Sequence, residues 1–408
     1  MPSTQNAESP STTGPGSDRP DQRLRGRDIL CFSHDWTGDP LSKTHLMRLL
    51  AKENRVLWVN SIGYRMPTAS GADLGRAFQK LAAATKPVTE VEPNIFVLNP
   101  LAIPAYGRPS VRALNRRWLR WQVKRAMRGL KFNRVINWVF NPAAAVIAGQ
   151  LGEEQLIYHC VDEYTAFSGV ASSALAEMEL QLLRQADLVI VSAERLYQSK
   201  SRSNPRTVLV QHGVDFEHFR KACTGEVAPA AEQASLPRPI LGFFGLVADW
   251  VDVDLMAEMA RRFPEGSLVI VGKVTTDVSK LEALSNVHFL GRKPYETLPG
   301  FCAGWDVALM PFRLNELTLN ANPLKVREYL AAGLPVVSTA IPEVEALGLC
   351  RIASTADEFE REIRQTLADA GPTAARSEAV RQESWAARLQ EIERHLFATS
   401  VVATKERV

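Results

Sequence analysis

A lysine and a glutamate one helical turn apart, Lys325 and Glu328, lie in the segment with the clearest chemical pattern, which reads NPLKVREYLAAGLPVVS from Asn322. A loop enters a helix near Pro323, Gly333 ends that helix, and a strand follows. Backbone N–H groups at a helix start suit a diphosphate, and a carboxylate one turn later can accept hydrogen bonds from two ribose hydroxyls. The alternative is a solvated ion pair on a surface helix. We favour the nucleotide-binding interpretation because of the surrounding loop, helix and strand.

A glycine that ends another apolar run is a second candidate contact for a phosphate. The run PILGFFG ends at Gly245, where the lack of a side chain lets the backbone approach a phosphate or a sugar. Ordinary turn geometry explains this glycine equally well. Asp252 and Asp254 fit a DxD pattern that binds metal in some transferases. We interpret Asp252 as a helix cap and assign no metal site.

Short apolar runs rich in valine and isoleucine alternate with longer helical segments along most of the chain. This alternation predicts an α/β protein with parallel sheets covered by helices on both faces. The pattern pauses at 221–239, a stretch of Ala, Pro, Gly and Glu typical of a linker, and then restarts. We predict two Rossmann-like, doubly wound domains that face a central cleft. The predicted divisions are a disordered tail over 1–26, domains over 27–220 and 240–371 on either side of the linker, and C-terminal helices over 372–408 that cross back to the first domain.

The sequence resembles glycosyltransferase family 4 of the GT-B fold, in particular exopolysaccharide and teichuronic acid transferases with a donor motif like NPxKxxEYLAAGxPVVS. The resemblance covers nearly all of the chain from Asp28 to about Ser354. It implies a nucleotide-diphosphate sugar as donor, a UDP- or GDP-sugar, and an acceptor hydroxyl on a glycan or lipid-linked molecule. It also implies retention at the anomeric carbon, no required cofactor, a donor site in the C-terminal domain and an acceptor side in the N-terminal domain.

Carried over onto matching positions, the resemblance assigns the donor ribose to Glu328 and the diphosphate to Lys325. The family often has a glutamate eight positions before the second, where this chain has Asn320. Relatives also have an arginine and a lysine after the glycine loop, and both are missing here. Their cationic role therefore shifts to Lys325, helped by Lys273 or Arg292.

The resemblance also predicts contacts from the N-terminal half. The segment after the first strand corresponds to a loop near the acceptor, which makes three residues candidate cleft residues: Asp35, Trp36 and Gly38. The segment YHCVDEY matches a YxxxDE pattern at the cleft, so His159 or Asp162 could orient the acceptor or a sugar hydroxyl. Structural roles for these residues remain open alternatives. The segment QHGVD, from Gln211, is interpreted as a loop beside the hinge.

Two other kinds of protein fit parts of the pattern. A nucleotide-sugar epimerase shares the fold and the donor, but its additional catalytic acids and histidines are not found. A non-catalytic nucleotide-sugar-binding scaffold of a polysaccharide assembly complex fits the replacement by Asn320 and the missing basic pair. A nicotinamide dehydrogenase fits less well, since neither half has GxGxxG after its first strand.

Net charge, cysteine content and the length of the apolar runs indicate where the protein works. The formal net charge is only +3 over 408 residues, which argues against wrapping nucleic acid. Five scattered cysteines without a CxxC pair indicate reduced thiols. No leader and no apolar run long enough to span a bilayer is found, so we expect a cytoplasmic protein, peripheral at most on the inner face of the cell membrane.

The hypothesis of membrane binding rests on a segment that has basic residues and no acidic ones. Residues 108–134 contain ten Lys and Arg residues and no Asp or Glu. Basic residues recur every four positions from Arg112 to Arg128, beside an apolar edge of Leu114, Trp118 and Trp121. We predict that this helix binds an anionic membrane. A solvated helix with its tryptophans in the core, or RNA binding, are the alternatives.

Overall fold

Two parallel sheets, one in each half of the chain, organise the structure. The computed structural model describes residues 23–36, 40–62, 87–166 and 172–405. Within these ranges, the first sheet has eight strands in the order β3-β4-β2-β1-β5-β6-β7-β8, and the second has six in the order β11-β10-β9-β12-β13-β14. The architecture is the predicted GT-B arrangement of two Rossmann-like domains.

The first sheet is built from the apolar runs of the N-terminal half. Its strands are β1 Asp28–Phe32, β2 Arg55–Val59, β3 Thr89–Glu92, β4 Ile95–Leu98, β5 Val135–Val139, β6 Gln155–Cys160, β7 Leu188–Val191 and β8 Thr207–Leu209. All pair in parallel except β3, which runs antiparallel to β4. The central strands β1 and β5 are buried along their whole length, as expected for a sheet with helices on both faces.

The second sheet has the same design. Its strands are β9 Ile240–Phe244, β10 Ser267–Val271, β11 Val287–Gly291, β12 Val307–Met310, β13 Val336–Thr339 and β14 Arg351–Ala353. All pairs are parallel. Two edge strands, β3 and β14, were not predicted, because a short edge strand lacks the continuous apolar run that marks a central one.

Helices cover both sheets. In the first half they are α1 Ser42–Leu50, α2 Pro109–Gly129, α3 Ser172–Gln185 and α4 Glu194–Lys200. From the hinge onward they are α5 Phe216–Phe219, α6 Lys221–Thr224, α7 Val253–Arg262, α8 Ser279–Glu282, α9 Leu298–Cys302, α10 Glu316–Leu319, α11 Leu324–Ala331, α12 Pro342–Leu347, α13 Ala356–Thr366, α14 Ala374–Glu378 and α15 Trp385–Lys405. No helix among the described residues is long and apolar enough to cross a membrane.

The two hydrophobic cores divide close to residue 212. Val210 belongs to the first core, whereas Val214 and Phe219 already belong to the second. The segment 221–239, which its composition marks as a linker, lies against the second domain: Gln233 is buried and its Oε1 accepts the indole N–H of Trp305 at 3.0 Å. We therefore propose that the domains change at 211–213.

Both ends of the described chain pack on the first core. Leu24, counted in the predicted disordered tail, is buried, and its N–H donates to Glu393 Oε1 at 2.8 Å. Residues 1–22 of that tail lie outside the described residues. Helix α15 returns to the N-terminal half, where Ile392 and Leu396 join the first core. The chain thus passes between the domains twice.

Helix α2 differs from one of the alternatives considered above. Its buried side is formed by Leu119, Val123 and their neighbours, whereas Trp118 and Trp121 are 40% and 55% exposed. The interpretation that places both tryptophans in the core is therefore wrong. The helix periodicity brings these two residues to the same outward side, three positions apart.

Candidate active site

Helix α11 presents Lys325 and Glu328 together, as the sequence predicts. Pro323 is the N-cap residue, with no side-chain cap, so the first backbone N–H groups of the helix are not capped by a side chain. Both Lys325 and Glu328 are half-buried. Burial lowers the pKa of the Lys325 ammonium, and the nearby Glu328 carboxylate opposes that shift. The helix start therefore combines a cation with backbone donors, which is a setting suited to a phosphate.

Gly245 lies directly beneath the lysine. A Cβ atom at this position would lie 2.0 Å from Lys325 Cε, and the backbone φ of +124° is one that other residues rarely adopt. Gly272, at the end of the neighbouring strand β10, packs equally closely, since its Cβ would lie 1.9 Å from the Gly245 carbonyl oxygen. Two glycines thus bring the strand ends together against the lysine stem. The turn at Gly245 holds Lys325 in place.

The other predicted cations lie further out along the same edge. Lys273 follows Gly272, and its side chain is exposed. Arg292 follows β11 and is exposed too. The Gly272 N–H donates to the Gly291 carbonyl at 2.9 Å, which places these strand ends side by side. Of the predicted donor-site cations, Lys325 is therefore the one that is half-buried against the glycines.

Asn320 is buried, and its amide is bonded within its own helical turn. Its Nδ2 donates to the Glu316 carbonyl at 2.7 Å and to Glu316 Oε1 at 3.0 Å. The structure therefore places a carboxylate, Glu316, beside the position where relatives have one. This residue was missed because it precedes the expected position by four residues. The signal was the i,i+4 relationship on a short helix.

Asp252 caps helix α7. Its carboxylate accepts the Leu255 N–H at 3.0 Å, as the helix-cap interpretation predicts. Asp254 pairs with Lys280 and Arg313.

In the N-terminal half, His159 and Asp162 lie at the end of β6 and just beyond it, and the charge of Lys43 acts on both. His159 is buried at the end of β6; its Nδ1 lies 3.3 Å from the indole nitrogen of Trp138, and its ring stacks on Phe140. Burial lowers its pKa well below the usual value, so the ring is neutral near pH 7. Asp162 is half-buried just beyond β6, and burial raises the pKa of its carboxyl while Lys43 opposes that shift. Asp162 is thus the better exposed of the two.

Lys43 is a further candidate that the sequence interpretation did not single out. Burial lowers the pKa of its ammonium, and Asp162 opposes that shift. Among the residues that the structure describes, no carboxylate lies within ion-pair distance of its Nζ, which lies 5.8 Å from the centroid of the Phe140 ring. Lysine is unfavourable in the first turn of a helix because of the helix dipole. Its presence there was the missed signal.

The two cleft lysines occupy equivalent places. Lys43 is the second residue of α1, and Lys325 is the second residue of α11; neither helix has a side-chain N-cap or an acidic residue in its first turn. The α11 start touches the N-terminal half, since Asn322 Nδ2 donates to the Ser192 carbonyl at 2.8 Å. The Asn322 carbonyl also lies 2.9 Å from Nδ1 of His212, in the passage between the domains. Lys43 in turn lowers the pKa of His212. Both helix starts therefore lie near His212, between the two domains.

The predicted acceptor loop is described only in part. Asp35 is exposed, and its Oδ1 accepts the Ser61 N–H at 3.0 Å. Trp36 is half-buried, with its ring edge-on to Trp58 at 4.7 Å. Gly38 lies outside the described residues. Asp35 thus remains accessible, while Trp36 packs against the first core.

Two buried histidines should make the protein sensitive to mild acid. Burial lowers the pKa of His212 to about 3 and that of His159 well below its usual range. Below pH 6.5 both histidines become protonated in the unfolded chain but stay neutral in the folded protein. The free energy of unfolding should therefore fall with decreasing pH by about 1.4 kcal/mol per pH unit for each histidine.

Urea unfolding between pH 6.5 and 5 measures this slope. The variant His159→Phe removes one titrating group. Its free energy of unfolding should therefore change with pH less steeply than that of the wild type, by about 1.4 kcal/mol per pH unit. An unchanged slope would show that His159 is protonated in the folded protein.

A known protein family resembles the C-terminal half of the chain. Residues 238–369 match the family model described as glycosyl transferases group 1. The C-terminal domain is therefore similar to the domain that this model describes. The matched range includes Gly245, Lys325 and Glu328, so the C-terminal part of the candidate site lies inside it.

One curated relative extends the similarity. The chain is 26% identical over 229 residues to TuaH of Bacillus subtilis, whose name describes a teichuronic acid biosynthesis glycosyltransferase. The match covers 52% of this chain and 56% of the relative, so it spans little more than half of that protein's length.

Solved structures share the fold that surrounds the group 1 domain. Sucrose-phosphate synthase from Thermosynechococcus elongatus superposes with a TM-score of 0.66 at 18% identity, covering 92% of this chain and all of that one. HepE from Anabaena, solved in complex with UDP, has a TM-score of 0.56 at 15% identity and covers 94% of this chain and 99% of its own. Both similarities extend over the two domains and confirm the GT-B fold.

Proposed function

We propose that this protein transfers a sugar from a nucleotide-diphosphate sugar to a hydroxyl of a glycan or lipid-linked acceptor. One observation supports this most: Lys325, held by Gly245 at the uncapped start of α11, lies one turn before Glu328 within the group 1 domain. A diphosphate at the helix start and a ribose at Glu328 are one helical turn apart, as a nucleoside diphosphate requires. We propose the synthesis of cell-surface polysaccharide as the setting, because the name of the relative TuaH describes teichuronic acid biosynthesis.

Stabilisation of the leaving diphosphate is the main chemical requirement. Lys325 and the free N–H groups of α11 place positive charge where negative charge develops as the glycosidic bond breaks. Lys43 adds a second cation from the other domain. The two lysines take the role of the arginine and lysine that relatives have after the glycine loop.

Asp162 is the proposed contact for the acceptor hydroxyl. Its raised pKa and half-buried position suit a group that accepts a hydrogen bond and orients the nucleophile. His159 is enclosed by aromatic rings, so we assign it to holding the strand end. In a single-step transfer that retains configuration at the anomeric carbon, the acceptor hydroxyl attacks from the leaving-group side, where the departing phosphate oxygen can take its proton.

UDP-sugars are the first donors to test, because HepE was crystallised with UDP. The assay measures release of nucleoside diphosphate from a panel of UDP- and GDP-sugars, with and without a membrane extract as acceptor. Acceptor-dependent release supports the transferase and identifies the donor. Binding of the nucleotide without release would instead favour the non-catalytic scaffold, and interconversion of the free nucleotide sugar would favour an epimerase.

Helix α2 supports a membrane-bound acceptor. Leu114, Trp118 and Trp121 are all exposed, and exposed basic residues flank them: Arg116, Arg117, Arg120, Arg125 and Arg128. An exposed apolar edge between cations is suited to the interface of an anionic bilayer. Such a surface would bring a lipid-linked acceptor to the cleft.

Replacement of both tryptophans should weaken binding to vesicles. We expect Trp118→Ser with Trp121→Ser to lower affinity for phosphatidylglycerol vesicles by about 10- to 100-fold, since each ring removes considerable apolar area from the contact. Vesicle co-sedimentation measures this. Leu314→Ser, an exposed apolar residue of the other domain, is the matched control. Equal binding of wild type and double variant would reject the membrane role of α2.

A further inference from the structure

Arg327 is the most deeply buried charged residue of the donor helix. Its side chain is 1% exposed, although it lies between Lys325 and Glu328 in the sequence. Its guanidinium donates to three acceptors: Asn322 Oδ1 at 2.5 Å, Glu383 Oε2 at 3.2 Å and Gln211 Oε1 at 3.3 Å. A buried cation of this kind is costly unless its donors are satisfied, so its partners are part of its role.

The three acceptors come from three different parts of the chain. Asn322 precedes α11 in the C-terminal domain. Gln211 follows the last strand of the N-terminal sheet, at the first passage between the domains. Glu383 lies just before α15, at the second passage, where Val214 and Ser384 form an isolated β-bridge. One side chain thus connects the donor helix to both passages.

Neighbouring hydrogen bonds extend this connection directly across the domains. Glu343, on α12, accepts the Glu194 N–H at 2.7 Å and the Gln211 amide at 2.9 Å. Asn322 Nδ2 donates to the Ser192 carbonyl at 2.8 Å. Arg388 on α15 pairs with Glu383 as well. Residues of both domains therefore share one buried polar network around Arg327.

The helix geometry separates this network from the donor site. Successive residues of an α-helix are rotated by about 100°, so positions two apart point to nearly opposite sides. Lys325 lies over Gly245 on one side of α11, and Arg327 faces the passages between the domains on the other. The same rigid helix carries the proposed donor contact and the interdomain contact.

We propose that Arg327 is a positioning residue that fixes the orientation of the two domains relative to each other. With Arg327 in place, the donor helix, and Lys325 on it, is held at one angle to the N-terminal sheet. Its consequence for turnover rests on the proposed function. The orientation itself does not.

Loss of the guanidinium should therefore loosen the domains without removing the nucleotide contacts. In Arg327→Met, we expect turnover to fall by about 10-fold or more, because misplacement of reacting groups by an ångström has large effects on rate. The dissociation constant for UDP or GDP should change by less than about 2-fold, since Lys325 and Glu328 remain. Arg327→Lys should restore turnover only in part, because one ammonium cannot replace a planar fork.

Distances between spin labels test the orientation without any enzymatic activity. One label is attached to each domain, at the exposed positions Arg184→Cys and Glu265→Cys. The partly exposed native cysteines are removed by Cys223→Ser and Cys350→Ser. The distribution of distances between the labels, measured by double electron–electron resonance, should be narrow in the protein that keeps Arg327. In Arg327→Met it should be broader or shifted. Arg262→Met is the matched control, because Arg262 contacts three carboxylates within one domain.

A milder variant keeps the test valid if Arg327→Met fails to fold. Gln211→Ala removes one interdomain contact of Arg327 and leaves its other two acceptors in place, so it should broaden the distribution to a smaller degree. Unchanged distributions in both Arg327→Met and Gln211→Ala, or in Gln211→Ala alone if only that variant folds, would overturn the proposal. A fall in nucleotide affinity that matches the fall in turnover would also overturn it, since Arg327 would then act on the donor site itself.

Discussion

Glu328→Ala should lower kcat/KM by about 100- to 10,000-fold, because two hydrogen bonds to a charged acceptor contribute about 1.5–3 kcal/mol each. The proposed partners of this carboxylate are the ribose hydroxyls of the donor. The loss should therefore appear in the dissociation constant for the nucleoside diphosphate as well as in turnover. Isothermal titration with UDP and GDP, beside the release assay, separates the two quantities.

A matched control distinguishes this role from a general charge effect. Glu345 is an exposed glutamate on α12, in the same domain. Glu345→Ala should leave both nucleotide affinity and turnover close to wild type. Equal losses in the two variants, or wild-type nucleotide affinity in Glu328→Ala, would contradict the assignment of the ribose to Glu328.

The pH profile of Glu328→Ala carries a second expectation. The carboxylate of Glu328 raises the pKa of Lys325, against the lowering by burial. Without it, Lys325 should lose its proton at a lower pH than in the wild type. The alkaline fall of residual activity should therefore begin at lower pH in the variant.

The sequence predicted the fold well where local pattern and burial coincide. Strands such as β1 and β10 are buried along their whole length and are apolar after their first residue, Asp28 or Ser267, so their runs are easy to recognise. Helix α11 was predicted with its cap and its end, since Pro323 and Gly333 mark them. The close approach of Gly245 to Lys325 was less certain, because a glycine at a strand end fits a simple turn equally well.

What the sequence did not reveal depends on contacts between distant residues. Lys43 and Asp162 are 119 positions apart, and their proximity follows from the adjacency of β1, β5 and β6. The burial of Arg327 was hidden because a charged residue inside a helix normally points to solvent. Its three acceptors meet only when both passages between the domains lie together.

The change of domain illustrates the same limit. Composition placed a linker at 221–239, where small and polar residues dominate. That segment packs on the second core through residues such as Gln233, and the passage that we propose runs through 211–213. A passage held by buried hydrogen bonds has no need of a flexible composition.

Lys325→Met should lower turnover by about 100- to 1,000-fold, the range expected when a group that stabilises developing charge is removed. Methionine keeps most of the stem that lies over Gly245, so the packing should survive. Lys273→Met is the matched control, since Lys273 is exposed at the same sheet edge. Turnover in that variant should fall by less than about 3-fold, because an exposed cation is screened by solvent.

Gly245→Ala should displace the side chain of Lys325 without removing it. The added Cβ would lie 2.0 Å from Lys325 Cε and 2.8 Å from its Nζ, so the flexible ammonium end has to move away. If turnover depends on where this charge lies, Gly245→Ala should lose activity while the lysine is still present. Activity near wild type in both Gly245→Ala and Lys325→Met would mean that the diphosphate is held by the helix N–H groups and Lys43 instead. The position of the charge, and not its presence alone, is what the two glycines determine.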